Sequence, residues 1–142
     1  MIMSGEKDLR TLLSGMRPEL NPGRYVFTTV ASRTTVHAGP DNPLGATPVV
    51  TVAEEEGLTR VIRLEDAEAA GLTYDYVAGW ITLRVHSALE AVGLTAAVAG
   101  KLASAGLSCN VIAGFHHDHL FVPYDRAAEA VLLIEELARQ SG

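Results

Sequence analysis

Residues 116–119 read His-His-Asp-His, so three of the chain's five histidines and an aspartate fall on four consecutive positions between two apolar runs. Imidazoles beside a carboxylate can hold a transition metal, carry acid–base or nucleophilic chemistry, or form the polar mouth of a binding pocket. The flanking "CNVIAGF" and "LFVP" have strand character, and on a strand alternate side chains point to opposite faces. His117 and His119 then share one face, while His116 and Asp118 share the other. Same-face neighbours lie ~6.5–7 Å apart along a strand. Two imidazoles could converge on one ion at that spacing, but a transition-metal site wants three or four ligands. His37 and His86 supply no HxH or HxxxH pairing to complete the set. No metal is expected. His116 and His117 are expected to vary freely at a turn, and His119 to pack or hydrogen-bond.

Acyl transfer has its residue types in Ser87, His86, His116 and Asp118, but the G-x-S-x-G elbow is missing. A small hydrolase or transferase using Asp118 with His86, His116 or His117 is therefore an alternative rather than the first reading. The run "AEEEG" (53–57) reads as a solvated strand end or turn. The segment "AGPDNPLGA" lacks both G-x-G-x-x-G and a terminal GK[ST], so no nucleotide cofactor is expected.

Composition narrows the classes further. With 142 residues, 48% hydrophobic and 20% charged, the chain can bury a core as one domain or two small subdomains. A net charge of −6 without a dense Lys/Arg block disfavours nucleic acid. The lone Cys109 excludes an intrachain disulfide and a cysteine-rich metal site, and is expected to be a buried, inert thiol. There is no signal-like start and no apolar run of the ~20 residues that cross a bilayer. A cytoplasmic protein without membrane partners is the expectation.

The elements that must position these residues follow from periodicity. Leu9, Leu12, Leu13 and Met16 predict a helix over 5–16 with Ser4 as N-cap, ended by the two prolines and glycine of "RPELNPG" (17–23). Strands are expected at 24–30, 48–57 and 58–64, with a turn near Glu56-Gly57, followed by a short helix over 65–71. Residues 31–47 read as a loop, with a short strand at "TTVH" conceivable. In "YDYVAGWITLRV" (74–85), Trp80, Thr82 and Arg84 alternate with Ile81, Leu83 and Val85, giving one apolar and one mixed face. A helix within 87–106 carries Leu94, Val98, Leu102 and Ala105 on one stripe, with Gly106 closing it. Two strands flanking Gly114 and a helix over 124–140 complete the chain.

The second half thus runs β-α-β-β-α, and the first half is a degenerate version of the same order. The expected class is α+β, with antiparallel sheets covered on one face by helices. Residues 1–73 and 74–142 are the expected subdomains. The start of the 87–106 helix offers N–H groups that attract a carboxylate, and Gly93 would let a ligand approach the backbone. Asp118 on the returning strand could hold an ammonium group. Together they describe an amino-acid pocket in generic form.

The stretch "VGLTAAVAGKLASAGLSCNVIAGFHHDHLFVP" adds specificity, because it resembles the ACT-domain family and most closely the branch of the CASTOR arginine sensors. The resemblance rests on Gly93-Leu94-Thr95-Ala96 at the helix start, Gly114-Phe115, Asp118-His119 and Val122-Pro123. It extends over nearly the whole chain and is strongest over 79–123. It implies two ferredoxin-like, ACT-like subdomains side by side, often dimeric, with a small ligand, usually an amino acid, at the subdomain interface. It also implies a regulatory rather than catalytic protein and a homodimer. By position, Ala88, Ala91, Gly93, Leu94, Thr95, Val111, Ile112, Gly114, Phe115 and Asp118 would face the ligand. Where the arginine sensors carry an acidic residue before the helix, this chain has Ala91, with Glu90 adjacent. One lost carboxylate weakens guanidinium binding, since a charge-assisted bond contributes ~1.5–3 kcal/mol. A smaller or neutral amino acid fits as well as arginine. A ligand-free assembly module is the third reading.

Overall fold

Residues 8–31, 47–85 and 91–142 are described by the computed structural model. Helix α1 (Leu9–Gly15) is followed by strands β1 (Arg17–Val30), β2 (Val50–Glu54) and β3 (Gly57–Arg63), then helix α2 (Leu64–Ala69). Strand β4 (Val77–Arg84), helix α3 (Leu94–Ser104), strands β5 (Asn110–Ala113) and β6 (Asp118–Pro123) and helix α4 (Ala127–Ser141) complete the order. A 3₁₀ turn at Tyr124–Arg126 links β6 to α4.

The chain forms two compact units, one of residues 1–22 with 79–142 and the other of residues 23–78. In the first unit the strand order is β1-β4-β6-β5. The side-chain pairs Thr82–His119 and Trp80–Phe121 run β4 and β6 past each other in opposite directions. Glu19–Arg84 and Asn21–Thr82 do the same for β1 and β4. Ile81, Leu83, Leu120 and Val122 turn to one face and are buried with Leu12 of α1, Leu94, Val98 and Leu102 of α3, and Ile134 of α4. The alternation in 80–85 thus becomes a sheet with its apolar face under helices, as expected. In the second unit the order is β2-β3-β1, both pairs antiparallel. Val26 and Ile62 pack there with Leu64 and Ala67 of α2.

Two local expectations need correction. The segment 17–23 does not break the chain; it is the first half of β1. The register of β3 on β1 begins at the pair Tyr25–Arg63, so both prolines lie outside that ladder. Prolines are tolerated in a strand where the ladder does not require their missing N–H. The cap of α1 is Asp8 rather than Ser4, because the Asp8 carboxylate accepts the Thr11 N–H at 3.0 Å and the Thr11 hydroxyl at 2.8 Å. Those bonds to the ionised form hold its pKa below the usual carboxylate value. The "TTVH" strand, Ser4 itself and "AGPDNPLGA" lie outside the described residues.

Candidate functional site

The β5–β6 hairpin pairs Asn110 with Phe121, Val111 with Leu120, Ile112 with His119 and Ala113 with Asp118. The Gly114 N–H donates to the His117 carbonyl at 2.9 Å, which leaves Phe115 and His116 at the tip. Phe115 is 55% exposed and meets the His116 ring edge-on. A Cβ at Gly114 would stand 2.7 Å from the His117 carbonyl oxygen and 3.3 Å from His119 Nε2. Glycine is needed there for space.

His119 points to the face away from the helices. Its Nδ1 accepts the Trp80 indole N–H at 3.1 Å and lies 3.2 Å from the Thr82 hydroxyl. Asn21 Nδ2 donates to that hydroxyl at 2.9 Å and to the Trp80 carbonyl at 3.2 Å. An indole N–H can only donate, so Nδ1 carries no proton and the imidazole is the neutral Nε2–H tautomer. The expected hydrogen-bonding role of His119 is therefore specific.

Burial, then the nearby His117, push the His119 pKa down; Asp118 opposes them and Arg84 adds slightly. A base with a depressed folded pKa binds fewer protons folded than unfolded, so stability rises with pH. Its contribution is fully present above the unfolded value near 6.5 and is lost as pH falls through the lower folded value. Urea unfolding at pH 7.5 and at pH 5 should show a wild-type loss on acidification that His119→Gln, which keeps an acceptor but cannot titrate, reduces. Equal losses in both proteins would refute the assignment.

Asp118 lies on the opposite face of β6, with Leu120 and Val122, towards the helices. Among the described residues its carboxylate has no hydrogen-bond or ion-pair partner. Burial raises its pKa, against smaller opposing effects of His119 and His117. His117 Nδ1 is also covered and without a partner among the described residues. Because β4 and β5 each run antiparallel to β6, the end of β4, the end of β5, the start of β6 and the start of α3 share one end of the first unit. At that end α3 begins on Gly93 (φ 103°) without a side-chain cap. The N–H groups of Leu94, Thr95 and Ala96 have no acceptor within the helix.

The ten sequence-derived positions are distributed as follows. Ala88 lies outside the described residues, as do His37, His86, Ser87 and Glu90. Ala91 and Val111 pack, half-buried, against the core of which Leu94 is a fully buried member. Thr95 is exposed on the first turn of α3, and Ile112 is half-buried on β5. Gly93 has a second reason to be glycine, since a Cβ would lie 3.1 Å from Leu9 Cδ2. Asp118 and His119 diverge across β6, and no group of three or more potential metal ligands forms among the described residues. Cys109 is half-buried, and burial raises its pKa, so the thiol stays protonated.

Sequence reasoning did not point to Asn21, Trp80 and Thr82 as neighbours of His119, nor to a cleft in the second unit. That cleft, of about 540 Å³, is lined by Phe27, Thr28, Thr29, Glu54, Thr59 and residues 72–75. The Thr59 hydroxyl donates to Glu54. Three distant segments meet there, so no contiguous motif announces it.

Comparison with known proteins bears on this geometry. Two family profiles, each described as an ACT domain, match residues 4–79 and 76–136. No curated protein matches the chain. Among solved structures, a Vibrio cholerae protein of unknown function, whose name suggests a transport role, is 47% identical with a TM-score of 0.78, over 93% of this chain and 97% of that one. An Agrobacterium tumefaciens protein is 17% identical with a TM-score of 0.62, covering 87% of this chain and 89% of its own. The regulatory subunit of aspartate kinase from Thermus flavus is 10% identical, also with a TM-score of 0.62, over 85% and 96% of the two chains. The last two speak for the fold alone.

Proposed function

Since this chain belongs to the ACT-domain family, with two such domains in tandem, we propose that it is a non-catalytic regulatory protein that binds an amino acid. ACT domains are typically regulatory ligand-binding modules. The observation that carries the reading is Asp118, a half-buried carboxylate without a partner among the described residues, at the same end of the first unit as an uncapped helix start. The carboxylate receives the ligand's cationic group, and the α3 N–H groups receive its carboxylate. Ala88, Ala91, Gly93, Leu94, Thr95, Val111, Ile112, Gly114 and Phe115 make up the rest of the proposed surround. The working form is a cytoplasmic homodimer, with residues 1–73 and 74–142 as its sequence modules. Ligand binding then favours one arrangement over another by differential affinity.

Thermal unfolding with each of the twenty amino acids at millimolar concentration tests this. At least one is expected to raise the transition temperature, since a ligand at about 100 times its Kd contributes ~2.7 kcal/mol. Asp118→Asn, nearly isosteric, is expected to remove that shift while leaving the unliganded transition close to wild type. No shift with any amino acid would refute the reading, and an unchanged shift in Asp118→Asn would remove Asp118 from the site.

A further inference from the structure

The His119 ring lies between β4 and the turn that presents Asp118. At one nitrogen, Nδ1, the Trp80 indole N–H donates at 3.1 Å and the Thr82 hydroxyl lies 3.2 Å away. The other nitrogen, Nε2, abuts Gly114: a Cβ added there would stand 3.3 Å from Nε2 and 3.4 Å from Cδ2. Gly114 closes the hairpin by donating its N–H to the His117 carbonyl, which directly precedes Asp118. Ala113 and Asp118 form the pair nearest the turn, and Ile112 and His119 the next.

This arrangement fits only an imidazole without a proton on Nδ1. An indole N–H donates and never accepts, so protonation would set two donors against each other across 3.1 Å. The Thr82 hydroxyl, which already accepts from Asn21 Nδ2 at 2.9 Å, could take the new proton. The indole N–H would still face a nitrogen with no lone pair to offer. The ring then has to shift, and the backbone beside it is Gly114. Among the described residues, the charged groups around it are Arg84 of β4, paired with Glu19 of β1, and His117 and Asp118 on its own segment. The β5 residues Asn110–Ala113, which pair with β6, carry no titratable side chain. Burial and then His117 favour the neutral ring, and Asp118 opposes them.

We propose that His119 is the positioning residue of the Asp118 site: its neutral ring holds the hairpin in the binding form, and uptake of a proton on Nδ1 releases it. The proposal rests on the amino-acid reading given above. His119 does not touch the ligand, because it faces away from Asp118 across β6; it acts through Gly114 and the turn. Affinity is full while the ring is neutral and falls as pH drops through the folded His119 value, by up to about tenfold per pH unit for one linked proton. By reciprocity, a bound amino acid lowers the pH at which His119 takes up its proton.

Trp80 is the only tryptophan of the chain, so its indole Nε1–H gives a single resonance that reports on His119. In the unliganded full chain, titration from about pH 8 to about pH 5 should move that resonance along one curve. His119→Gln should abolish the curve. Trp80→Phe, which removes the opposing donor, should raise the midpoint read on the His119 ring carbons. Hydrogen exchange of the Gly114 amide should be equal in wild type and His119→Gln above the midpoint and faster in wild type below it. A charge merely nearby would not open that bond. Thermal unfolding with a mixture of the twenty amino acids, each at millimolar concentration, supplies the binding measurement. The stabilisation of wild type should decline through the indole midpoint, and that of His119→Gln should hold across it. Equal Gly114 exchange in the two proteins below the midpoint, or an equal decline in both, would overturn the proposal. No stabilisation of wild type at about pH 8 would instead refute the amino-acid reading, and Gly114 exchange would still decide whether His119 governs the hairpin.

Discussion

Gly57→Ala is expected to destabilise the second unit by about 2–5 kcal/mol, summing a left-handed backbone cost of ~1–2 with an overpacking cost of ~1–3. Gly57 is buried, with φ 156°, and pairs with Glu54 where the β2–β3 hairpin closes over Glu55-Glu56. A Cβ there would overlap the Val30 carbonyl oxygen and stand 3.3 Å from Thr29 Oγ1. The obstacle is backbone of β1, which cannot rotate away as a side chain could. Relief requires β3 to separate from β1, and Leu58, which pairs with Val30, would lose its burial with them. Gly71 is the internal control: it also has positive φ, at 68°, but nothing lies within 4 Å of an added Cβ. Gly71→Ala should therefore cost only the backbone contribution, ~1–2 kcal/mol. Chemical denaturation of both variants decides the matter, with hydrogen exchange at β2 and β3 locating the loss. A Gly57→Ala cost no greater than that of Gly71→Ala would show that the hairpin accommodates the methyl group.

The contrast also shows why some of the molecule can be read from sequence and some cannot. Period-2 alternation in 80–85 and a helical stripe at Leu94, Val98 and Leu102 are local signals, and both elements form with those residues inward. Splitting His-His-Asp-His by strand alternation likewise separates Asp118 from His119 correctly, because a face depends only on parity. What parity cannot supply is the neighbour across the sheet. Trp80 and Thr82 reach His119 over a separation of 37 to 39 positions, through a β4–β6 register that the whole unit sets. The same limit hides the cleft assembled from residues 27–29, Glu54, Thr59 and residues 72–75. At residues 17–23 the local signal misleads. Proline and glycine mark a turn on average, yet a strand tolerates both where they fall outside the neighbouring ladder.

Leu102→Ala is expected to cost about 2–5 kcal/mol, the range for leucine truncation in a core. Leu102 is fully buried and sits on α3 among residues contributed by α1, α4 and the sheet. The carbonyl of the same residue accepts the N–H groups of Ala105 and Leu107, both at 3.0 Å. Those bonds close the helix and persist in the variant, so the loss should come from the cavity rather than from the helix end. Leu102→Met, which conserves volume, should cost less than ~1.5 kcal/mol, and a Met variant as unstable as the Ala variant would refute a cavity origin. The truncated protein also sharpens the search for the ligand. Binding stabilises only the folded chain, by RT ln(1 + [L]/Kd), and this increment does not depend on the starting stability. If α3 is intact, an amino acid that binds at its N-terminus with Asp118 should stabilise wild type and Leu102→Ala by the same free energy. A larger unfolded fraction in the variant would make the gain measurable near room temperature. A ligand that stabilises wild type but not Leu102→Ala would show that the core behind α3 holds the helix start in its binding geometry, and would tie the site to the packing of α3 rather than to its first turn alone.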